Sequence, residues 1–187
     1  MTPRAGRTRY LPAEDTYLLR DSLERFSGRS CLEIGFGSGA VLESASKRFS
    51  HAVGTDVMDL QDAKLALGSG ELVLADRAAC FREGIFELVF FNPPYVPSAQ
   101  IEDVTVDGGP SGIDVAVSFL EDALRVLEKD GTIVALLSDE GDVAAFLSHC
   151  EDLGLEVESV AEKRVFYEKL SVFTIRRRTE DSDGHQG

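Results

Sequence analysis

Cysteine is scarce in this chain, and what there is does not cluster. Cys31, Cys80 and Cys150 are the three cysteines of 187 residues; they lie far apart, form no CxxC pair and are odd in number. That argues against a disulfide framework and against a cysteine-based zinc site. The three histidines, His51, His149 and His185, are as scattered, so they read as structural or surface residues and no metal is expected. Long apolar runs are missing too: none reaches the roughly 18 residues that span a bilayer. The basic segment Met1 to Arg9 leads into no apolar stretch, so no signal peptide is predicted and the expected location is cytoplasmic.

Positive charge is the other shortage. Lys and Arg total 19 against 33 Asp and Glu, for a formal net charge of -14. A protein that grips nucleic acid needs a basic face for the phosphates. Here the one basic run is Arg176-Arg177-Arg178, which counts against a nucleic-acid partner. Among the basic residues Arg far outnumbers Lys, and that balance with strong acidity suits a cytosol of high salt, where repulsion is screened.

What is present is enough for one domain. An apolar content of 43% supports a core, and the length is too short for two ordinary domains. A single domain over 1–178 is expected, with Thr179 to Gly187 as a polar, disordered tail. Short apolar runs alternate with helical segments, the pattern of an α/β fold with a parallel sheet. Strands are predicted at Cys31–Ile34, Ala52–Asp56, Glu71–Leu74, Phe86–Phe91 and Thr132–Leu137. Two more, Leu155–Ala161 and Leu170–Arg176, follow with no long helix between them and should pair antiparallel. Helices are predicted over Glu14–Phe26, Val41–Phe49, Val115–Leu127 and Val143–Leu153, with a weaker one over Leu60–Gly68. About twenty residues between Asn92 and Ile113 form a loop long enough to suggest function.

Chemistry gathers at the ends of the predicted strands. The first runs into Leu32-Glu33-Ile34-Gly35-Phe36-Gly37-Ser38-Gly39 and then a helix. Glycines there let a ligand approach the backbone at the carboxyl edge of the sheet. They do not by themselves separate a dinucleotide from another nucleoside cofactor, since Ala40 also satisfies the dinucleotide pattern. Asp56 closes the second strand, where a carboxylate can accept from both hydroxyls of a ribose. Asp76 closes the third, where it can meet an adenine amino group. A cap or a turn explains either acid alone.

Asn92-Pro93-Pro94-Tyr95 follows the fourth strand. Two prolines fix φ and remove two N–H donors, leaving carbonyl oxygens exposed. The Asn side-chain oxygen and a backbone carbonyl then make a pair of acceptors, matched to the two N–H groups of a planar amide or exocyclic amine. Held so, the nitrogen faces an electrophilic methyl, and the Tyr95 ring can cover the flat acceptor. The loop alone fits glutamine, adenine and, after loss of a proton, lysine.

Together the Glu33–Gly39 loop, Asp56, Asp76 and Asn92–Tyr95 resemble class I methyltransferases of the HemK type. Tyr10-Leu11-Pro12-Ala13-Glu14-Asp15-Thr16 and Glu168-Lys169-Leu170-Ser171-Val172 resemble the entry and closing segments of its archaeal and eukaryotic branch, the single-domain release-factor glutamine methyltransferases. The resemblance spans roughly Tyr10 to Arg177. It implies a Rossmann-like sheet of seven strands, mostly parallel with one antiparallel strand and helices on both faces. It implies S-adenosylmethionine as cofactor, contacted by Thr16, Glu33, Gly35, Gly37, Asp56, Val57, Asp76, Arg77 and Asn92. Family members tend to carry an apolar residue where this chain has Arg77. Asn92, Pro93, Pro94 and Tyr95 would form the catalytic loop, and Asp107-Gly108-Gly109-Pro110-Ser111-Gly112 a substrate loop. The implied acceptor is the GGQ glutamine of the class I translation termination factor. The implied partner is a small zinc-ribbon-type activator shared with other methyltransferases, docking on the Glu71–Leu74 edge strand. An adenine methyltransferase acting on DNA or RNA, or a protein-lysine methyltransferase, is the alternative.

Overall fold

The computed structural model describes residues 12–57, 70–99, 103 and 105–178. The chain order is α1 Glu14–Ser22, β1 Gly28–Ile34, α2 Ala40–Ala45, β2 Phe49–Asp56, β3 Glu71–Leu74 and β4 Phe86–Phe91. There follow β5 Val96–Pro97, β6 Asp107–Gly109, α3 Asp114–Val126, β7 Leu127–Ser138, α4 Val143–Asp152, β8 Leu155–Val165 and β9 Glu168–Arg177. The predicted Leu60–Gly68 helix, the tail 179–187 and the start of the Tyr10–Thr16 segment lie outside the described residues.

Seven strands form one sheet in the order β3-β2-β1-β4-β7-β9-β8. The pairs from β3 to β7 are parallel, and β9 runs antiparallel to both its neighbours. This is the expected sheet, with one reversed strand. β4 carries Val89, Phe90 and Phe91 with no exposed surface, as a strand covered on both faces must. On one face α3 and α4 pack Leu120, Ala123, Val126 and Phe146 against Ile34, Val89, Phe91 and Ile133. On the other, α1 and α2 pack Leu19, Leu23 and Leu42 against Cys31, Leu88, Phe90 and Val134.

β1 and β2 begin earlier than predicted, at Gly28 and Phe49, and β8 runs on to Val165. Ladder pairing extends past the apolar cores of these strands. Three further boundaries are corrected. α1 ends at Ser22 and does not reach Phe26. The Ser22 hydroxyl bonds back to the Leu18 carbonyl, and Arg48 holds the carbonyls of Leu23 and Phe26 in the turn that follows. α2 stops at Ala45, because the chain must reach Phe49 already extended and in register with Gly28. β7 begins at Leu127, five residues before the predicted Thr132, because Leu127 pairs with Phe86 across an irregularity in the β4 register. The long loop after β4 is not featureless: Val96–Pro97 pairs with Asp107–Gly109, a two-stranded ladder that the turn-rich sequence conceals.

Candidate active site

The parallel topology brings the carboxyl ends of β1, β2, β3 and β4 to one edge. Every predicted cofactor or catalytic residue after Thr16 lies in the last two positions of one of these strands or follows it; Thr16 comes from α1.

The first half of the site is built on β1 and β2. After Ile34 the chain turns through Gly35, Gly37 and Gly39, all with positive φ (73°, 49° and 80°). A Cβ on Gly37 would meet nothing within 4 Å, so the requirement there is conformational and the space beside it is open. The Gly35 and Phe36 N–H groups donate to the Thr55 carbonyl, tying the loop to the end of β2. Asp56 then accepts from the Gly37 N–H through Oδ2 at 3.0 Å. Glu33, in register with Gly54 and Phe90, is 3% exposed, and its Oε2 has no hydrogen-bond partner among the described residues. Burial pushes its carboxyl well above the usual carboxylate range; a Leu42 backbone hydrogen bond opposes this, and the Asp56 charge adds to it. Val57, next to Asp56, is half exposed.

Asp76 and Arg77 follow β3. Arg77 adopts a left-handed φ of 49° and pairs with Asp76 at 3.3 Å. Its Nε lies 3.2 Å from Asp122 of α3, at an angle outside hydrogen bonding. The guanidinium is therefore committed to two carboxylates.

The second half sits on β4. Asn92 follows the fully buried Phe91, and its Nδ2 donates to Asp15 Oδ2 at 2.7 Å. Its Oδ1 is buried and has no partner among the described residues. Asp15 is itself buried at the start of α1, and its other oxygen accepts from the Thr16 N–H at 2.6 Å and faces the Thr16 hydroxyl at 3.3 Å. Pro93 is buried and Pro94 and Tyr95 are half-buried. Tyr95 hydrogen-bonds to Glu168, and burial, reinforced by the charges of Asp15, Glu168 and Glu140, holds its phenol above the ordinary value. Glu168 in turn accepts from the Ser138 hydroxyl at 2.7 Å. The Asp107–Gly112 segment packs on the backbone of this loop. A Cβ on Gly112 would lie 2.7 Å from the Tyr95 carbonyl oxygen and 2.9 Å from Gly141, so only glycine fits there.

Asn92, Pro93, Pro94 and Tyr95 thus come together with Thr16 through Asp15. Glu33, Gly35, Gly37, Asp56 and Val57 form the neighbouring cluster on β1 and β2, with Asp76 and Arg77 farther along the edge. Asp15, Ser138 and Glu168 were not among the sequence candidates for the site. Asp15 is legible only as the neighbour of Thr16, and Ser138 and Glu168 only once β7 and β9 are known to pair antiparallel.

What such an arrangement can do is specific. One half offers open glycine backbone and carboxylates to a nucleoside. The other offers a buried carbonyl oxygen beside prolines that bring no N–H of their own.

No family model matches the chain. A putative protein N5-glutamine methyltransferase of Methanocaldococcus jannaschii is 29% identical over 181 residues, covering 90% of this chain and 91% of that protein. The eRF1 methyltransferase catalytic subunit of Schizosaccharomyces pombe is 26% identical, covering 90% and 89%. Among solved structures, a complex from E. cuniculi responsible for the methylation of the eRF1 translation termination factor matches with a TM-score of 0.78 and 28% identity, covering 91% of this chain and 99% of the matched one. Fold, edge geometry and relatives spanning nine-tenths of the sequence agree: the chain is an S-adenosylmethionine-dependent methyltransferase, similar to the protein-glutamine methyltransferases of archaea and eukaryotes.

Proposed function

We propose that this enzyme methylates the side-chain nitrogen of a glutamine, the GGQ glutamine of the class I translation termination factor. The observation that carries the chemistry is Asn92 Oδ1, a buried acceptor whose amide partner atom is already committed to Asp15. A buried carbonyl without a donor is costly, and an incoming N–H relieves that cost. The glutamine amide donates one N–H to Asn92 Oδ1 and the other to the Pro93 carbonyl. Tyr95, pinned by Glu168, flanks its planar face.

The residues of the first half fit a nucleoside cofactor on the structure's own terms: open space at Gly37, an unpartnered buried Glu33 oxygen and Asp56 at the loop. Glu33, Gly35, Gly37, Asp56, Val57 and Thr16 would hold S-adenosylmethionine, with Asp76 and Arg77 at the adenine side. When bound, it supplies an electrophilic methyl on a sulfonium. Asn92 Oδ1 and the Pro93 carbonyl would hold the glutamine nitrogen toward that methyl, and the nitrogen's surplus proton would pass to solvent. Positioning by Asn92 and Pro93 and a water-poor setting do the work, so no strong general base is needed.

A small zinc-ribbon-type activator pairs with the enzyme in a heterodimer. Among the described residues β3 ends the sheet with no strand beside its outer edge, and Leu74 and Val57 stand 60% and 50% exposed near its carboxyl end. An apolar edge of this kind suits strand addition. The acidic surface keeps the complex soluble in a salt-rich cytoplasm, and no helix among the described residues is long and apolar enough to cross a membrane. Methyl transfer from labelled cofactor to purified termination factor, with and without activator, tests the reading against DNA and tRNA as acceptors. A mass increase of one methyl on the GGQ peptide is expected. Labelling of nucleic acid and not of the factor overturns it.

A further inference from the structure

An asparagine that must present its oxygen to a substrate has a problem of symmetry. The two ends of its amide are nearly the same shape, and half a turn about the last side-chain bond exchanges acceptor for donor. Something has to bias Asn92 toward one orientation before the acceptor arrives.

We propose that Asp15 is the positioning residue that sets this orientation. Its Oδ2 lies 2.7 Å from Asn92 Nδ2, a charge-assisted contact that only a nitrogen can make. Turning the amide over would place two acceptor oxygens face to face inside the protein. Asp15 is in turn held by its own neighbour, because Oδ1 accepts from the Thr16 N–H at 2.6 Å. That backbone group can only donate. The chain of direction therefore runs from the Thr16 N–H to Asp15 to Asn92, and it ends on an Oδ1 that is buried and unpartnered among the described residues. α1 packs on the sheet through Leu19 and Leu23, both essentially without exposed surface, so the carboxylate stands on a fixed element. This inference rests on the reading of Asn92 as the amide-holding residue.

The same logic dictates a test by exchange. In Asp15→Asn the Thr16 N–H takes the new carbonyl oxygen, so the new NH2 faces residue 92. Asn92 then turns its oxygen inward to meet that NH2 and shows a donor to the substrate. The inner hydrogen bond survives, so thermal midpoint and cofactor binding stay near those of the parent. The kcat falls on the order of 10²-fold, the scale for losing one preorganised group. Asn92→Asp alone sets two carboxylates in contact, and it fails as well. The double variant D15N/N92D restores the direction: the amide at 15 donates inward, and the carboxylate at 92 offers its free oxygen outward. Its kcat should exceed that of each single variant at least tenfold.

The measurement uses the full chain with its activator and termination factor, and the Asn92 side-chain amide resonances are followed without substrate. In D15N those resonances should shift, because the NH2 no longer meets a carboxylate. A double variant no better than its parents overturns the proposal. So does a D15N kcat within threefold of the parent, or a loss of fold or cofactor binding that accounts for the lost kcat. Failure of the parent enzyme to label glutamine sinks the substrate assignment instead, and the substrate-free resonances still report the amide's orientation.

Discussion

The two halves of the edge differ in what they leave unsatisfied. On β1 and β2 the polar groups largely satisfy one another: Gly35 and Phe36 bond to Thr55, and Asp56 accepts from Gly37. On β4 the reverse holds, for Asn92 is tied at one end and left open at the other. A nucleoside entering the first half must exchange hydrogen bonds everywhere except at the unpartnered Glu33 oxygen, whereas an amide meeting Asn92 only adds one. Binding in the first half is a competition, and its net gain is modest. On the proposed reading, binding in the second is used where the reaction occurs.

The sharpest way to break this contrast is Asn92→Ala. It removes the open acceptor and should lower kcat by about 10³-fold or more, since the nitrogen loses both orientation and electron density. Cofactor affinity should change only a few-fold. Titration calorimetry beside single-turnover transfer separates the two. Equal damage to both would mean that the halves are one site. Asp56→Ala is the converse, expected to weaken cofactor binding about 10- to 100-fold, the scale of losing a charge-assisted hydrogen bond. The transfer step at saturation should stay within a few-fold. A kcat collapse at saturating cofactor would count against the division.

This contrast also marks how far the sequence could be read. The glycine loop, Asp56 and the Asn92–Tyr95 run are local signals, each next to an apolar strand, so period and turn chemistry found them. The strand β4 is legible to the residue because it is a near-continuous apolar run, buried on both faces. Asp15 is invisible as a partner of Asn92, because 77 residues separate them and only the packing of α1 on the sheet joins them. Glu168 and Ser138 meet through an antiparallel register that no local pattern encodes. The early end of α2 was missed for a related reason. Ser46, Lys47 and Arg48 carry no helix breaker before Phe49, and the pairing of Phe49 with Gly28 decides the boundary.

Glu33 sharpens the comparison through pH. Its carboxyl is raised by burial, then lowered by the Leu42 hydrogen bond and raised by the Asp56 charge. A raised acid contributes stability that is fully present below its ordinary value of 4.5 and is lost as pH rises through the folded value. Glu33→Gln has no such proton to lose. The variant should therefore gain on the parent as pH rises above about 4.5. Denaturant melts at several pH values check the sign. A gap that shrinks with rising pH would mean the carboxylate is solvated or paired.

The smallest effect on the fold belongs to the far edge of the sheet. β3 carries no side chain as buried as those of β4, and Leu74 is 60% exposed. Leu74→Asp removes little packing and should shift stability by no more than about 0.5 kcal/mol. Asp56 is its ladder partner on β2, so cofactor binding should weaken by a few-fold at most. Capture of the activator should fail, because a new carboxylate would have to lose its water inside an apolar contact. Co-purification from cells that express both chains, beside a melt of the isolated enzyme, reads both quantities. An unchanged complex would move the activator off β3, and a large loss of stability would show that the edge is already covered by its own chain.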